Sequence, residues 1–411
     1  LKEVGVVDSG GAGLLLVLTG FMAALTGDRV DFVDIKSEGQ VNAGTELESG
    51  EEGYGYCTEF IVRLEPSLID KFSENQLKKE LERICNVALE KQGYSKEDAA
   101  RISEVLIATD MFGIHSHGTK NLYMYIEKMK QGGIDIKANP EFIVEGPAFA
   151  VLDAKDCIGM KGTRIAIDKA VELAKKTGVA YVGVKNSCHF GAGTFYVAEM
   201  AKQGMFGMIM SNVDPNMAVP GGKGMTLGNN PIAYAFPRKG QHPITFDIAL
   251  SVVAALKINK AKMYHQEIPD SWMVDPDGIP TKNPQYYQEG GALLPMGGHK
   301  GYGFSLLVDA LSGFMTSGNT CKDIESWCFN LPNKNRVSHA IICIDISKVN
   351  PDGHFEDIEE DYLQYILNSP KAKGTDHLMV PGQREWEKYD KDEANGVRIP
   401  EDVADSLLKL A

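Results

Sequence analysis

The chain has 411 residues, 43% of them hydrophobic, which is enough apolar material for two compact domains and excludes a disordered or fibrous protein. Its 42 basic residues against 56 acidic ones leave a net charge of −14, with lysines scattered along helical faces, so no nucleic-acid surface is expected and the partner is a small molecule. Seven cysteines without a CxxC pair argue against a disulfide framework or a structural zinc site and fit a reducing, cytoplasmic setting; no metal is expected.

The segment 1–66 differs in grammar from the rest. Lys2–Asp8 reads as a short buried strand, Ser9–Gly13 as a glycine-rich turn, Leu14–Leu25 as an apolar helix and Asp31–Asp34 as a second strand. The apolar run Gly13–Leu25 covers about 13 residues, short of the roughly 20 that cross a bilayer, and it lacks a basic leader and a cleavage site, so a buried helix and no membrane partner are expected. The chain opens on Leu1 rather than methionine, which points to a start further upstream. The layout imitates a dinucleotide-binding unit, but Leu16 stands where a third glycine belongs and Ser37–Gly55 carries no βαβ continuation. Val6–Gly27 and Gly53–Val62 instead resemble the stretch after the kinase domain of fatty-acid-kinase-like (dihydroxyacetone-kinase-related) proteins. The nucleotide-binding aspartate motif of that family is missing, so this appended fragment is expected to carry no kinase activity.

From Ser73 the pattern changes to alternating helices and strands, and the class is α/β. Ser73–Gln76 is a capping box, followed by Leu77, Leu81, Ile84 and Val87 on one helical face. Ser95–Asp98 opens a second helix with Ile102, Val105 and Leu106 inward. Thr163–Thr177 is a third, stopped by Gly178 and feeding the strand Val179–Val184. Phe206–Met210 and Ala340–Ile346 read as strands, and Ser251–Ala261, Gly303–Met315 and Val403–Leu410 as helices.

Polar and glycine-rich clusters interrupt these elements. Gly113–Gly118 carries His117 in a Ser-His-Gly setting; a histidine there suits proton exchange near neutral pH, or merely caps a helix end. Val184–Gly191 places Asn186, Ser187, Cys188 and His189 after a buried strand, where α/β proteins gather ligands. A nucleophilic Cys188 is disfavoured because no oxyanion loop accompanies it. Ser211–Pro215 with Asn212, Pro220–Lys223 and Gly228–Pro231 could approach a nicotinamide amide or a carboxylate, or be ordinary turns. Phe246–Ser251 reads as a helix start, with Asp247 either bonding a ribose or capping that helix. Gly297–Gly301 opens a helix whose amides and Lys300 suit a pyrophosphate, or it is simply a glycine-rich start.

These segments, with Ser116-His-Gly118, Asn186–Gly191, Gly228–Ala233, Met296–Gly303 and Pro381–Arg384 in this order, resemble the type-2 malate/lactate dehydrogenase family, which includes ureidoglycolate and sulfolactate dehydrogenases, over about 72–411. The resemblance implies a two-domain malate/L-lactate/sulfolactate dehydrogenase-like α/β fold with a non-Rossmann site for NAD or NADP. The cofactor-binding part, about 140–330, would be inserted between helical segments, and a homodimer is expected. It implies hydride transfer at C2 of a small 2-oxo or 2-hydroxy acid, with His117 as proton donor and His189 as the second histidine, the proton acceptor in ureidoglycolate members. Ser116 and Tyr125 would line the substrate pocket. Asp247, Ile248, Ala249, His299, Lys300, Gly382, Gln383 and Arg384 would contact the cofactor, joined by Asn212.

Departures limit what is carried over. Asn121 stands where many members have a carboxylate-clamping arginine, leaving Lys120 as its substitute, and His115 and Cys188 replace a common Asp and Asn. Substrate identity is therefore not inherited. Two rival functions follow, a catalytically inactive binding protein of the same fold and a kinase-related lipid-binding adaptor acting through 1–62.

Overall fold

The computed structural model describes residues 74–397 and 399–410. The expectations for 1–66, the kinase-like fragment among them, and the Ser73 cap lie outside the described residues. Helix α1 (Glu74–Gln92) buries Leu81, Ile84, Cys85, Ala88 and Leu89, the spacing of an inward helical stripe. It packs on α2 (Lys96–Met111), whose N-cap Ser95 accepts the Asp98 amide at 3.1 Å. A short loop leads to α3 (Leu122–Lys130) and then to the sheet.

The strands are β1 (Glu141–Glu145), β2 (Phe149–Asp153), β3 (Val179–Ser187), β4 (Met205–Ser211), β5 (Ile232–Arg238), β6 (Gln241–Ile248), the pair β7 (Met273–Val274) and β8 (Ala292–Leu293), and β9 (Val337–Asp345). The main sheet runs β1-β2-β3-β9-β4-β5-β6, and only β2 and β3 are parallel neighbours. A doubly wound dinucleotide fold is built from parallel strands, so this order is a different one.

Alternation along the strands separates two cores. Ala180, Val182, Val184, Ile341 and Cys343 join the main core, while Tyr181, Ala340 and Ile342 join a second cluster with Met210, Leu250 and Val308. The main-core face is covered by α4 (Gly159–Thr177) and α5 (Gly193–Ala201). Further helices are α6 (Ala255–Met263), α7 (His299–Asp309), which supplies Val308 to the other face, α8 (Phe355–Leu367), α9 (Gln383–Asn395) and α10 (Glu401–Leu408).

Several boundaries differ from the sequence expectation. Helix α4 starts at Gly159, four residues before Thr163, because Gly159 and Gly162 read as helix breakers yet serve close packing. The helix expected at Gly303–Met315 starts at His299, and its end continues as a π turn, Ala310–Phe314. The segment 246–251 does not start a helix: β6 runs through Ile248, paired with Ile232, and α6 begins only at Ala255. An alternating strand pattern of modest polarity there was overridden in the sequence by the Asp at 247.

Candidate active site

His117 stands in the loop that follows α2, and a buried acid shapes that loop. Asp110, 1% exposed, accepts the Thr119 amide at 2.8 Å and its hydroxyl at 2.6 Å, and its other oxygen lies 2.9 Å from His115 Nδ1. The chain is drawn in so tightly that a Cβ on Gly118 would stand 2.1 Å from the Asp110 carboxylate. Glycine is therefore obligatory after His117. Ser116 Oγ lies 2.8 Å from His117 Nδ1.

His189 follows the end of β3. The first turn of α4 presses on its backbone, since a Cβ on Gly159 would lie 2.2 Å from the Cys188 oxygen and 2.4 Å from that of His189. The rings of His117 and His189 are 5.4 Å apart, tilted by 31°. Tyr125, buried in α3, reaches His189 Nδ1 at 2.5 Å, and the Gly191 amide points at the same nitrogen from 3.4 Å. Burial holds the Tyr125 phenol well above its usual range, so it keeps its proton and donates. Two donors on Nδ1 assign the ring proton to Nε2.

Burial lowers both histidines from their ordinary value, leaving them neutral near neutral pH. Their neighbours then distinguish them. Asp247 pulls His117 back upward, whereas His117 and His339 push His189 further down. A proton arriving at the pair is better held on His117.

Asp247 lies on β6, not at a helix start, and the helix it caps is α5: its Oδ2 accepts the Thr194 amide at 2.8 Å and hydroxyl at 3.0 Å. Burial raises this carboxyl, while Thr194 and His117 draw it back toward the ionised form. An anion at a helix N-terminus is favourably placed, by about 0.3–1 kcal/mol at exposed sites and more where partly buried.

Ser116, His117, Tyr125, His189 and Asp247 thus form one cluster. Lys120 is exposed, and the Asn121 amide turns back to donate to the Ser116 carbonyl at 3.0 Å. Asn212 is fully buried with both ends used: its NH2 donates to the Asn319 carbonyl and Asp309, and its oxygen accepts the Ser338 amide. It braces the end of β4 instead of presenting an amide to a ligand. Ile248 and Ala249 are half-buried where β6 ends. His299 and Lys300 are exposed on the first turn of α7, behind Gly298 at φ 62°. Gly382, at φ 81°, opens α9, followed by half-buried Gln383 and exposed Arg384 beside a cleft of about 450 Å³. A Cβ on Gly382 would stand 2.1 Å from Thr245 Oγ1, a buried hydroxyl without a partner on the same strand as Asp247.

Sequence reading missed Asp110, Thr194 and Trp327, whose ring stacks on His189. Asp110 alone left a signal, as a charged residue among the apolar positions closing α2.

His339, fully buried on β9, has Nδ1 2.9 Å from Ser211 Oγ; burial pushes it down to about 3, against a smaller upward pull from the Cys188 backbone. With the folded value below the unfolded 6.5, the unfolded chain binds the proton first, so stability is lost as pH falls from 6.5 toward about 3. His339→Asn, which cannot titrate, should close its stability gap to the parent by about 2 kcal/mol between roughly pH 7 and pH 5. Denaturant unfolding at the two pH values checks this; an unchanged gap would contradict it.

The family model for malate/L-lactate dehydrogenase matches residues 77–408. The chain belongs to this family. It is 35% identical over 330 residues to a malate dehydrogenase of Pyrococcus abyssi, covering 79% of this chain and 90% of the relative. It is 32% identical over 321 residues to the NAD(+)-dependent ureidoglycolate dehydrogenase of Escherichia coli K12, covering 78% and 90%. The sulfolactate dehydrogenase structure from Methanocaldococcus jannaschii superimposes with a TM-score of 0.75 at 30% identity, covering 81% of this chain and 95% of that one. The mixed α/β fold of this malate/L-lactate dehydrogenase family member is therefore the one its relatives adopt.

Proposed function

We propose that this protein interconverts a small 2-oxo acid and its 2-hydroxy form with NAD(P)H, using His117 to exchange the proton on the C2 oxygen. The observation that carries the assignment is the unequal pair of histidines, 5.4 Å apart: Asp247 supports a charge on His117, while His117 and His339 oppose one on His189. His189 stays neutral and donates from Nε2 to hold the C2 oxygen, with Tyr125 fixing its tautomer. Malate, ureidoglycolate and sulfolactate dehydrogenases among the relatives act on substrates of this class.

Bound NAD(P)H supplies the hydride. The residues present fit such a group. Helices α7 and α9 each open on a positive-φ glycine with no side-chain cap; the Lys300, Gly301 and Gln383 amides turn back to the Gly297, Met296 and Val380 carbonyls, so the positive helix ends and the exposed Lys300 and Arg384 side chains are what draw an anion. His299, Lys300 and Gly382–Arg384 would hold its phosphates, and Asp247, Ile248 and Ala249 would border the nicotinamide end, in a site outside the parallel dinucleotide fold. Both NAD(+)- and NADP(+)-dependent enzymes occur among the relatives. Ser116, Tyr125, Lys120 and Asn121 would contact the acid. NADH carrying deuterium at both C4 positions of the nicotinamide should deliver one deuterium to C2 of the product; product without deuterium would contradict the proposal.

A homodimer belongs to the same proposal. Helix α7 and the turn after it expose Phe304, Leu306, Leu307, Phe314 and Met315 at 45–56%, an apolar patch of the kind that pairs subunits. The double substitution Phe304→Glu, Leu306→Glu should shift sedimentation from dimer to monomer, and an unchanged dimer would place the interface elsewhere. A cytoplasmic home fits the free thiols of Cys85, Cys157, Cys188, Cys321, Cys328 and Cys343.

A further inference from the structure

One side chain at the histidine pair comes from a segment that none of the motifs includes. Trp327 lies flat on His189, ring centroids 4.4 Å apart and planes within 11°, and it also stacks on Tyr125 at 5.1 Å. The indole is half-buried and packs against the main core. An aromatic plane in this position blocks rotation of the imidazole and keeps water from that face.

The segment bearing Trp327 is fastened from beneath. Lys128 in α3 is fully buried, and its ammonium donates to the carbonyls of Asn330 at 3.1 Å, Leu331 at 3.4 Å and Asn333 at 2.6 Å. Carbonyls converging on one cation hold a loop by charge-assisted bonds that water cannot replace in a buried seat. A second contact is steric: a Cβ on Gly133 would stand 2.0 Å from the Leu331 oxygen. The loop also closes on itself, with Asn330 donating to the Glu325 carboxylate at 2.7 Å and Asn335 to the Glu325 carbonyl.

We propose that residues 326–335 form a fixed cover over the proton-transfer site, in which Trp327 positions His189 and Lys128 fastens the cover. This rests on the role given to His189 above. Trp327 and Lys128 are positioning residues: they act through the His189 ring. With the cover seated, Nε2 keeps one direction and the ring stays dry and neutral. Glu325 and Lys334, the charged groups facing Lys128 from the loop, and Cys188 and Cys328 nearby do not replace its three carbonyl contacts.

Two variants unseat the loop, Lys128→Met by removing the cation and Gly133→Ala by occupying the Leu331 seat and pressing on the Lys128 side chain. Trp327→Ala removes the plane, and Trp327→Phe retains a smaller one. In the full chain, carbethoxylation of each histidine by diethyl pyrocarbonate, read by peptide mass spectrometry, measures cover without needing turnover. Labelling of His189 should rise several-fold in Lys128→Met, Gly133→Ala and Trp327→Ala, with Trp327→Phe close to the parent and exposed His242 unchanged in all. In parallel, kcat should fall, by up to roughly 100-fold for a misplaced reacting group, with KM changing much less. Unaltered His189 labelling in both loop variants would overturn the cover. Increased labelling with an undiminished kcat would overturn the positioning role. A parent that labels as expected but transfers no hydride would overturn the functional reading instead, leaving the cover standing.

Discussion

His117→Ala should lower kcat/KM by roughly 10³-fold in either direction, within the usual range for loss of a general acid–base group. The loss should fall mainly on kcat, because the side chain acts on the C2 oxygen as charge develops there. Without it, the remaining groups hold the oxygen through His189 but provide no site where a proton is stabilised by a carboxylate. The fold should survive, since Asp110 still draws in the Thr119 amide and hydroxyl and thereby shapes the loop. Initial rates in both directions, with a thermal melt as control, check this. A variant that keeps more than about a tenth of parental kcat would remove His117 from the mechanism.

Asp247→Asn should cost on the order of 10²-fold in kcat, and it should also move the pH profile. The amide oxygen of asparagine can still accept the Thr194 amide, so the cap on α5 is retained and stability changes little. What disappears is the negative charge that raises His117 against the effect of burial. The sign follows directly. With that support gone, His117 protonates only at lower pH, so in the oxidation direction, where it must begin neutral, the acid limb should move to lower pH while the plateau drops. Rate against pH for parent and variant is the check; an acid limb that stays in place would mean that Asp247 acts only as a helix cap.

Much of the candidate site was legible because the residues proposed for its chemistry sit in short, local motifs. Ser-His-Gly at 116–118 and the cluster around His189 announce themselves by composition, and the strands and helices carrying them have clear periodicity. The need for Gly118 was not legible, because its cause is Asp110, brought against it by the loop's own fold. Asp247 was found for the right region and the wrong element: a carboxylate before a small polar stretch resembles a cap, and only strand pairing shows that it caps α5, 53 residues earlier. Asn212 looked like a ligand amide, yet burial spends both its ends inside the protein. Trp327 and Lys128 carry no local pattern at all, since each meaning lies in a partner far along the chain. Asn121, where a carboxylate clamp is common, bends back onto Ser116, which leaves exposed Lys120 as the cation nearest in sequence for an acid substrate.

The most direct test is to follow NADH and, separately, NADPH oxidation by the purified protein with a panel of 2-oxo acids, diketo acids and cyclic imines, beside His117→Ala. Turnover of at least one 2-oxo acid by the parent, lost in the variant, is the expected result. Tight cofactor binding with no turnover of any compound would contradict it and make this chain an inactive binding protein of the same fold.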